Sequence, residues 1–190
     1  MNKREKIVSV AIDTFIEKGI EKTTISEIVD KAGIAQGTFY LYFSSKMSLM
    51  PAIAEVLVKK MQVCLQNEVK STHLEQQLEE TIDAMFAFTS EYKELTKIMY
   101  VGLIKTEHVN DWEMVYIPIY QWMEDLLYTA RRLGDIRLDI NVKYVAKIII
   151  GMIEAAAEQN YLFDEQNPTI IAEHRKELQK FVTYALGAPS

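Results

Sequence analysis

The sequence predicts an all-α protein of nine helices. Three observations carry that expectation. Seven Gly and four Pro in 190 residues leave few turns, so the elements between them must be long. Those stretches are rich in Ala, Leu, Ile, Met, Glu, Lys and Gln, the residues that lose least on entering a helix. The 49% hydrophobic content supplies a sizeable core, in one domain or in two small ones sharing a boundary.

The first helix covers residues 3–18, where Ile7, Val10, Ala11, Thr14 and Phe15 recur at helical spacing. Gly19 ends it, and residues 20–24 form a connector. Thr24 or Ser26 offers the N-cap of a second helix through Ala32, with Ile28 and Val29 on its buried side. Gly33 turns the chain, Ile34 packs beneath it, and a third helix covers residues 35–42. Phe39 and Phe43, four apart, anchor that helix to the first two. Ser44 or Ser45 caps a fourth helix to about Lys70. Pro51, roughly a turn and a half inside it, predicts a kink, either a tolerated bend or a pivot between two halves. A fifth helix fits 74–90 and a sixth 92–106. Asn110 or Asp111 caps a seventh that reaches about Arg132 and kinks at Pro118. Gly134-Asp135 is a turn, and Asn141 caps an eighth helix through about Tyr161. Asn167 followed by Pro168 opens the last helix, which reaches about Leu186.

The net charge of -6 counts against general nucleic-acid affinity, but the acid is unevenly placed. Residues 1–50 carry net +1 and the rest -7, with Lys3, Arg4 and Lys6 as a small basic cluster. Cys64 is the only cysteine, so no disulfide closes within the chain, and the expected location is the cytoplasm. No run approaches about 18 uninterrupted apolar residues, so no membrane partner is expected. His73, His108 and His174 are scattered, and pairs such as Glu79-Glu80 suit solvated helix faces. No nucleophile set, metal spacing or phosphate-cradling glycine loop is present, so neither catalysis nor a cofactor is expected.

Residues 26–46 carry the functional reading. A helix that reads base edges must be slim enough for a groove about 12 Å wide. Gln36, Gly37 and Thr38 meet that condition at the start of the third helix. Gln36 can pair bidentately with adenine, and Thr38 can meet a phosphate or a thymine methyl. The hydroxyls of Tyr40 and Tyr42 can reach phosphates. Thr24 and Lys46 flank helix starts that suit phosphates, with Ser26 beside the first of them.

In the order Thr23-Thr24-Ile25-Ser26-Glu27-Ile28, Ala32-Gly33-Ile34-Ala35-Gln36-Gly37-Thr38-Phe39-Tyr40-Leu41-Tyr42-Phe43, Ser45-Lys46 and Leu49, after Ala11, Phe15 and Gly19, the chain resembles the tetracycline-repressor (TetR) family of transcription regulators. The resemblance covers about residues 5–50. It implies a helix-turn-helix DNA-binding domain over 1–46 and a ligand-binding and dimerisation domain over 47–190. It also implies a palindromic operator of double-stranded DNA, a homodimer, and DNA contacts at Thr24, Ser26, Gln36, Gly37, Thr38, Tyr40, Tyr42 and Lys46. Tyr42 stands where many members have His, and Ser26 where some place a base-reading Arg, so base reading falls chiefly to Gln36 and Thr38.

The body is rich in Met and aromatic residues, which make adaptable apolar pockets. The resemblance implies an inducer pocket among helices four to eight. Met85, Phe86, Phe88, Met99, Tyr100, Tyr116, Tyr120 and Met123 are its candidate lining, for a small apolar or amphipathic inducer. Glu107, His108 and Glu154 are candidate polar anchors. The eighth helix is apolar nearly all round, and the ninth has one apolar stripe. Ile149, Met152, Ile153, Ala156, Ile171, Leu178, Phe181 and Val182 are therefore candidates for a dimer face, with burial inside one subunit as the alternative. The reading that follows is a ligand-released repressor. A helical interaction protein that grips another protein is the competing one, and a gel shift with DNA discriminates them.

Overall fold

The computed structural model describes residues 2–104, 109–163 and 167–187, with the side chains of these residues except 103, 104 and 109–112. The described residues form nine α-helices and no strands: α1 (Lys3–Lys18), α2 (Ile25–Ala32), α3 (Gln36–Tyr40), α4 (Met50–Glu68), α5 (Leu74–Glu91), α6 (Lys93–Ile104), α7 (Val109–Leu133), α8 (Val142–Glu158) and α9 (Pro168–Leu186). Among them, no helix is long and apolar enough to cross a membrane.

Packing divides the chain into two compact units. One comprises Met1–Val58 and Glu94–Val115, the other Lys59–Lys93 and Tyr116–Ser190. Both α4 and α7 contribute to each unit, so this division differs from the expected boundary after residue 46. Position along the chain and packing group need not coincide when a long helix serves two cores.

In the first unit, α1 begins in a reciprocal capping box. Asn2 accepts from the Glu5 amide at 2.8 Å, and Glu5 accepts from the Asn2 amide at 2.9 Å. Ile7, Val8, Ala11, Thr14 and Phe15 face inward. Buried Thr14 donates to the Val10 carbonyl at 2.7 Å, which satisfies its hydroxyl inside an apolar face. Ile28, Val29 and Ala32 of α2 pack on α1, and Gly33 leaves α2 at φ 62, ψ 41. That left-handed backbone favours glycine. The third helix is shorter than expected: it stops at Tyr40, and residues 41 and 42 turn. Phe39, fully buried, sits edge-on to Tyr40 at 5.5 Å and 5.7 Å from the Phe43 ring.

The fourth helix corrects one expectation. A 3-10 turn over Met47–Leu49 precedes it, so α4 begins at Met50. Pro51 therefore lies in the first turn, where its missing N–H has no intrahelical partner to lose. Pro118 does lie inside α7. The end of α6 and the start of α7 bring in Thr106, Glu107 and His108, which lie outside the described residues, and Asn110, Asp111 and Trp112, whose side chains do.

In the second unit, α5 packs on α8 and α9. Leu78, Ile82, Met85 and Phe86 meet a core that includes Ile149, Ile150, Ile153 and Val182, all buried. The eighth helix does not run on as α-helix. Its last turns, Gln159–Phe163, are π-helical, and buried Asn160 there donates to the Ala156 carbonyl at 2.6 Å. The same amide lies 2.9 Å from His174 Nδ1 of α9. Asn167 caps α9 by accepting from the amides of Thr169 and Ile170, with Pro168 in the first turn as expected.

Candidate nucleic-acid interface

The α2-α3 pair presents one polar face. Phe39 and Phe43 point into the first unit's core, at 0% and 4% exposure. Their four-residue spacing forces the residues between them outward. Tyr40 is 51%, Leu41 82% and Tyr42 44% exposed. Gln36 and Gly37 are also exposed, and Thr38 is half-buried. No side chain caps α3, so the first-turn side chains of this helix are not spent on its own amides. Leu41 lies on this outward side although it is apolar. It stands midway between Phe39 and Phe43, whose burial places it on the opposite side.

Thr24 is exposed and caps α2. Its hydroxyl accepts from the Glu27 amide at 3.2 Å, and the Glu27 carboxylate accepts from the Thr24 amide at 3.0 Å. Lys18 holds the same carboxylate at 2.6 Å. The Lys18 hydrogen bond first, and then the Thr24 amide, pull the Glu27 carboxyl down to about 2. The protein thus supplies its own anion at the start of α2.

Lys46 is placed otherwise than the sequence suggested. It is half-buried, and its Nζ donates to the carbonyls of Ile20 at 2.6 Å and Thr23 at 2.7 Å, with Glu21 at 3.4 Å. Arg4 of the basic cluster is also engaged inside the unit: it reaches Glu55 at 3.2 Å and lies over the Phe43 ring at 5.7 Å.

The expected inducer-lining residues fall in both units. Met99, buried, and Tyr100, 41% exposed, belong to the first. Met85, Phe86, Phe88, Tyr116, Tyr120 and Met123 belong to the second, and all but half-buried Tyr120 are buried. Phe86 meets Tyr161 edge-on at 6.3 Å, and Phe88 meets Tyr92 at 4.6 Å. The polar feature among them joins α7 to α8. The Tyr116 hydroxyl donates to the Glu154 carboxylate, and burial raises that carboxyl to about 7 against the lowering effect of the hydrogen bond. Tyr116 is itself pushed up, by burial and then by the Glu154 charge. The Tyr120 ring lies 5.8 Å from Tyr116 and carries the Lys147 ammonium 5.2 Å from its centroid.

The expected dimer residues separate by side of helix. Ile149, Ile153, Ala156 and Val182 are buried within the subunit itself, at 2%, 0%, 6% and 1% exposure. Met152, Ile171 and Leu178 are half-buried, and Phe181 is exposed. The outward apolar residues of α8 are instead Tyr144, Ile148, Gly151 and Ala155, spaced four, three and four apart. On α9, Tyr184 and Ala185 accompany Phe181. A helix apolar on every side gives no sequence clue to which side faces its own subunit.

Comparison with known proteins places both ends of the chain. Residues 7–53 match the family model described as bacterial regulatory proteins, tetR family, and residues 78–186 match the tetracyclin repressor-like C-terminal domain. The chain is 38% identical over 190 residues to an uncharacterized HTH-type transcriptional regulator, YvdT, of Bacillus subtilis (strain 168), covering 97% of this chain and 95% of that one. In structure it is similar to the fatty acid degradation regulator FadR from Bacillus halodurans, with TM-score 0.76 and 16% identity, covering 100% and 98% of the two chains. It is also similar to the transcriptional regulator FadR from Bacillus subtilis in complex with stearoyl-CoA, with TM-score 0.74 and 17% identity, covering 94% and 97%.

Proposed function

Because the chain belongs to the TetR family of DNA-binding transcriptional regulators, we propose that it is a repressor that binds a palindromic operator as a homodimer and is released by a small apolar or amphipathic inducer. The observation that carries the DNA contacts is the outward row on and after α3. Gln36, Gly37, Tyr40 and Tyr42 are exposed there because Phe39 and Phe43 hold the opposite side in the core. Gln36 and Thr38 read bases, and the tyrosine hydroxyls and the start of α2, with Thr24 and Ser26, meet phosphates.

Dimerisation through α8 and α9 is supported by unburied apolar surface. Tyr144 is 67%, Ile148 56%, Phe181 60% and Tyr184 72% exposed in the single chain. Gly151 and Ala155 between them allow a second helix to come close. A two-fold pair would carry two copies of α3 and so match an operator with two-fold symmetry.

The inducer class is supported by the Met and aromatic residues of the body and by the polar pair Tyr116–Glu154 among them. The stearoyl-CoA held by the similarly folded Bacillus subtilis FadR is of the amphipathic class. Release requires that the inducer favour the non-binding arrangement by a few kcal/mol. The test is selection of bound duplexes from random DNA, repeated with fatty acids, acyl-CoA or planar aromatics added. Recovery of a palindrome, with loss of binding on adding one of these classes, supports the proposal. No enrichment of any sequence refutes it.

A further inference from the structure

We propose that Lys46 is a positioning residue for DNA binding rather than a phosphate ligand: it clamps the α1-α2 connector and so sets where α2 begins. This rests on the DNA-binding reading of the head. The chemistry is one of donor count. An ammonium has three N–H donors and no acceptor. Three carbonyls converge on Lys46 Nζ, from Ile20 at 2.6 Å, Thr23 at 2.7 Å and Glu21 at 3.4 Å. These lie 26, 23 and 25 residues before it in the chain. Bonds to a charged donor are the stronger kind, and here two of them are short.

The clamp reaches the DNA face through one residue. Thr23 supplies a carbonyl to Lys46, is 1% exposed, and donates its own hydroxyl to the Gly19 carbonyl at 2.8 Å. The next residue, Thr24, is the N-cap of α2. Lys46 sits just before the turn Met47–Leu49 that leads into α4, where Ser45 and Ser48 cap each other's amides. One ammonium therefore ties the start of α2 to the approach to α4. With two short bonds and a third, longer contact to the connector, the ammonium is directed inward, and turning it to a phosphate would loosen the connector.

The test uses the full chain and the duplex recovered from the selection, with Lys46→Arg and Lys46→Gln, each titrated at several salt concentrations well below its melting temperature. Arginine keeps the charge and is a good phosphate ligand, but its planar fork does not serve three converging carbonyls. A clamp predicts that both variants bind about tenfold more weakly or worse, as expected for one lost charge-assisted bond. It also predicts that their log affinity against log salt runs parallel to the wild type. A phosphate contact predicts that Lys46→Arg binds like the wild type and that Lys46→Gln flattens the slope by about 0.9 per subunit bound. Either of these results overturns the proposal. So does a lower melting temperature with unchanged affinity, which would make Lys46 a stabilising residue only. Wild-type protein that binds no duplex refutes the regulator reading itself, a different failure from an active Lys46→Arg.

Discussion

The Glu154 carboxyl gives the most quantitative prediction, and the variant that isolates it is Glu154→Gln. Burial, aided by the nearby Glu158 charge, holds the group at about 7 against an ordinary 4.5, and the Tyr116 hydroxyl only partly offsets this. The sign follows from linkage. Between those values the folded chain keeps a proton that the unfolded chain has lost, so stability is fully present below about 4.5 and falls as pH rises through about 7. The slope is at most about 1.4 kcal/mol per pH unit for one proton. The full gap corresponds to about 3 kcal/mol, and partial exposure of Glu154 brings the expected loss nearer about 2 kcal/mol. Glutamine keeps an oxygen to accept from Tyr116 and cannot ionise. The measurement is urea unfolding of both proteins from pH 5 to pH 8 at one fixed protein concentration, because association would shift apparent stability. The wild type should lose stability over that range relative to the variant, and the two should converge near pH 5. Parallel curves across the whole range would mean that Glu154 carries no buried charge, and the reasoning fails.

Three other outcomes are expected. Gly102→Ala places a Cβ 2.8 Å from Met50 Sδ, so melting should fall by an amount worth about 1–2 kcal/mol, and an unchanged melting temperature would show that Met50 repacks freely. Ile148→Lys puts a charge on an exposed position of α8, so sedimentation should show a folded monomer where the wild type is a dimer; a wild type already monomeric at micromolar concentration removes the proposed interface. Gln36→Ala should relax the preference at one base pair by about 1–3 kcal/mol in competition binding, and intact preference would move base reading elsewhere.

Much of the fold was legible because its signals are local. Asn167-Pro168, Gly33 and the Thr24 cap mark their boundaries within a few residues of chain, and the structure uses all three. The start of α4 was not legible in the same way. Ser45 was a good cap, but it closes a 3-10 turn, and α-helix begins only at Met50. The π-helical end of α8 was hidden because its Asn160 finds a partner in His174, fourteen residues on. In the proposed DNA-facing segment, the exposure of Gln36 and Tyr42 was legible from residue type. That of Leu41 was not, because hydrophobicity alone argues for burial.

The sequence by itself determined the family and the all-helical class. These follow from side-chain chemistry and spacings of a few residues, which a chain carries wherever it folds. Tertiary structure alone decided which donors are already spent and which apolar residues are already covered. Lys46 lies on carbonyls more than twenty residues away, and Ile149 is buried while Ile148, its neighbour on the same helix, is 56% exposed. Both outcomes depend on what a distant segment brings to the other side of the helix, and no local pattern records that.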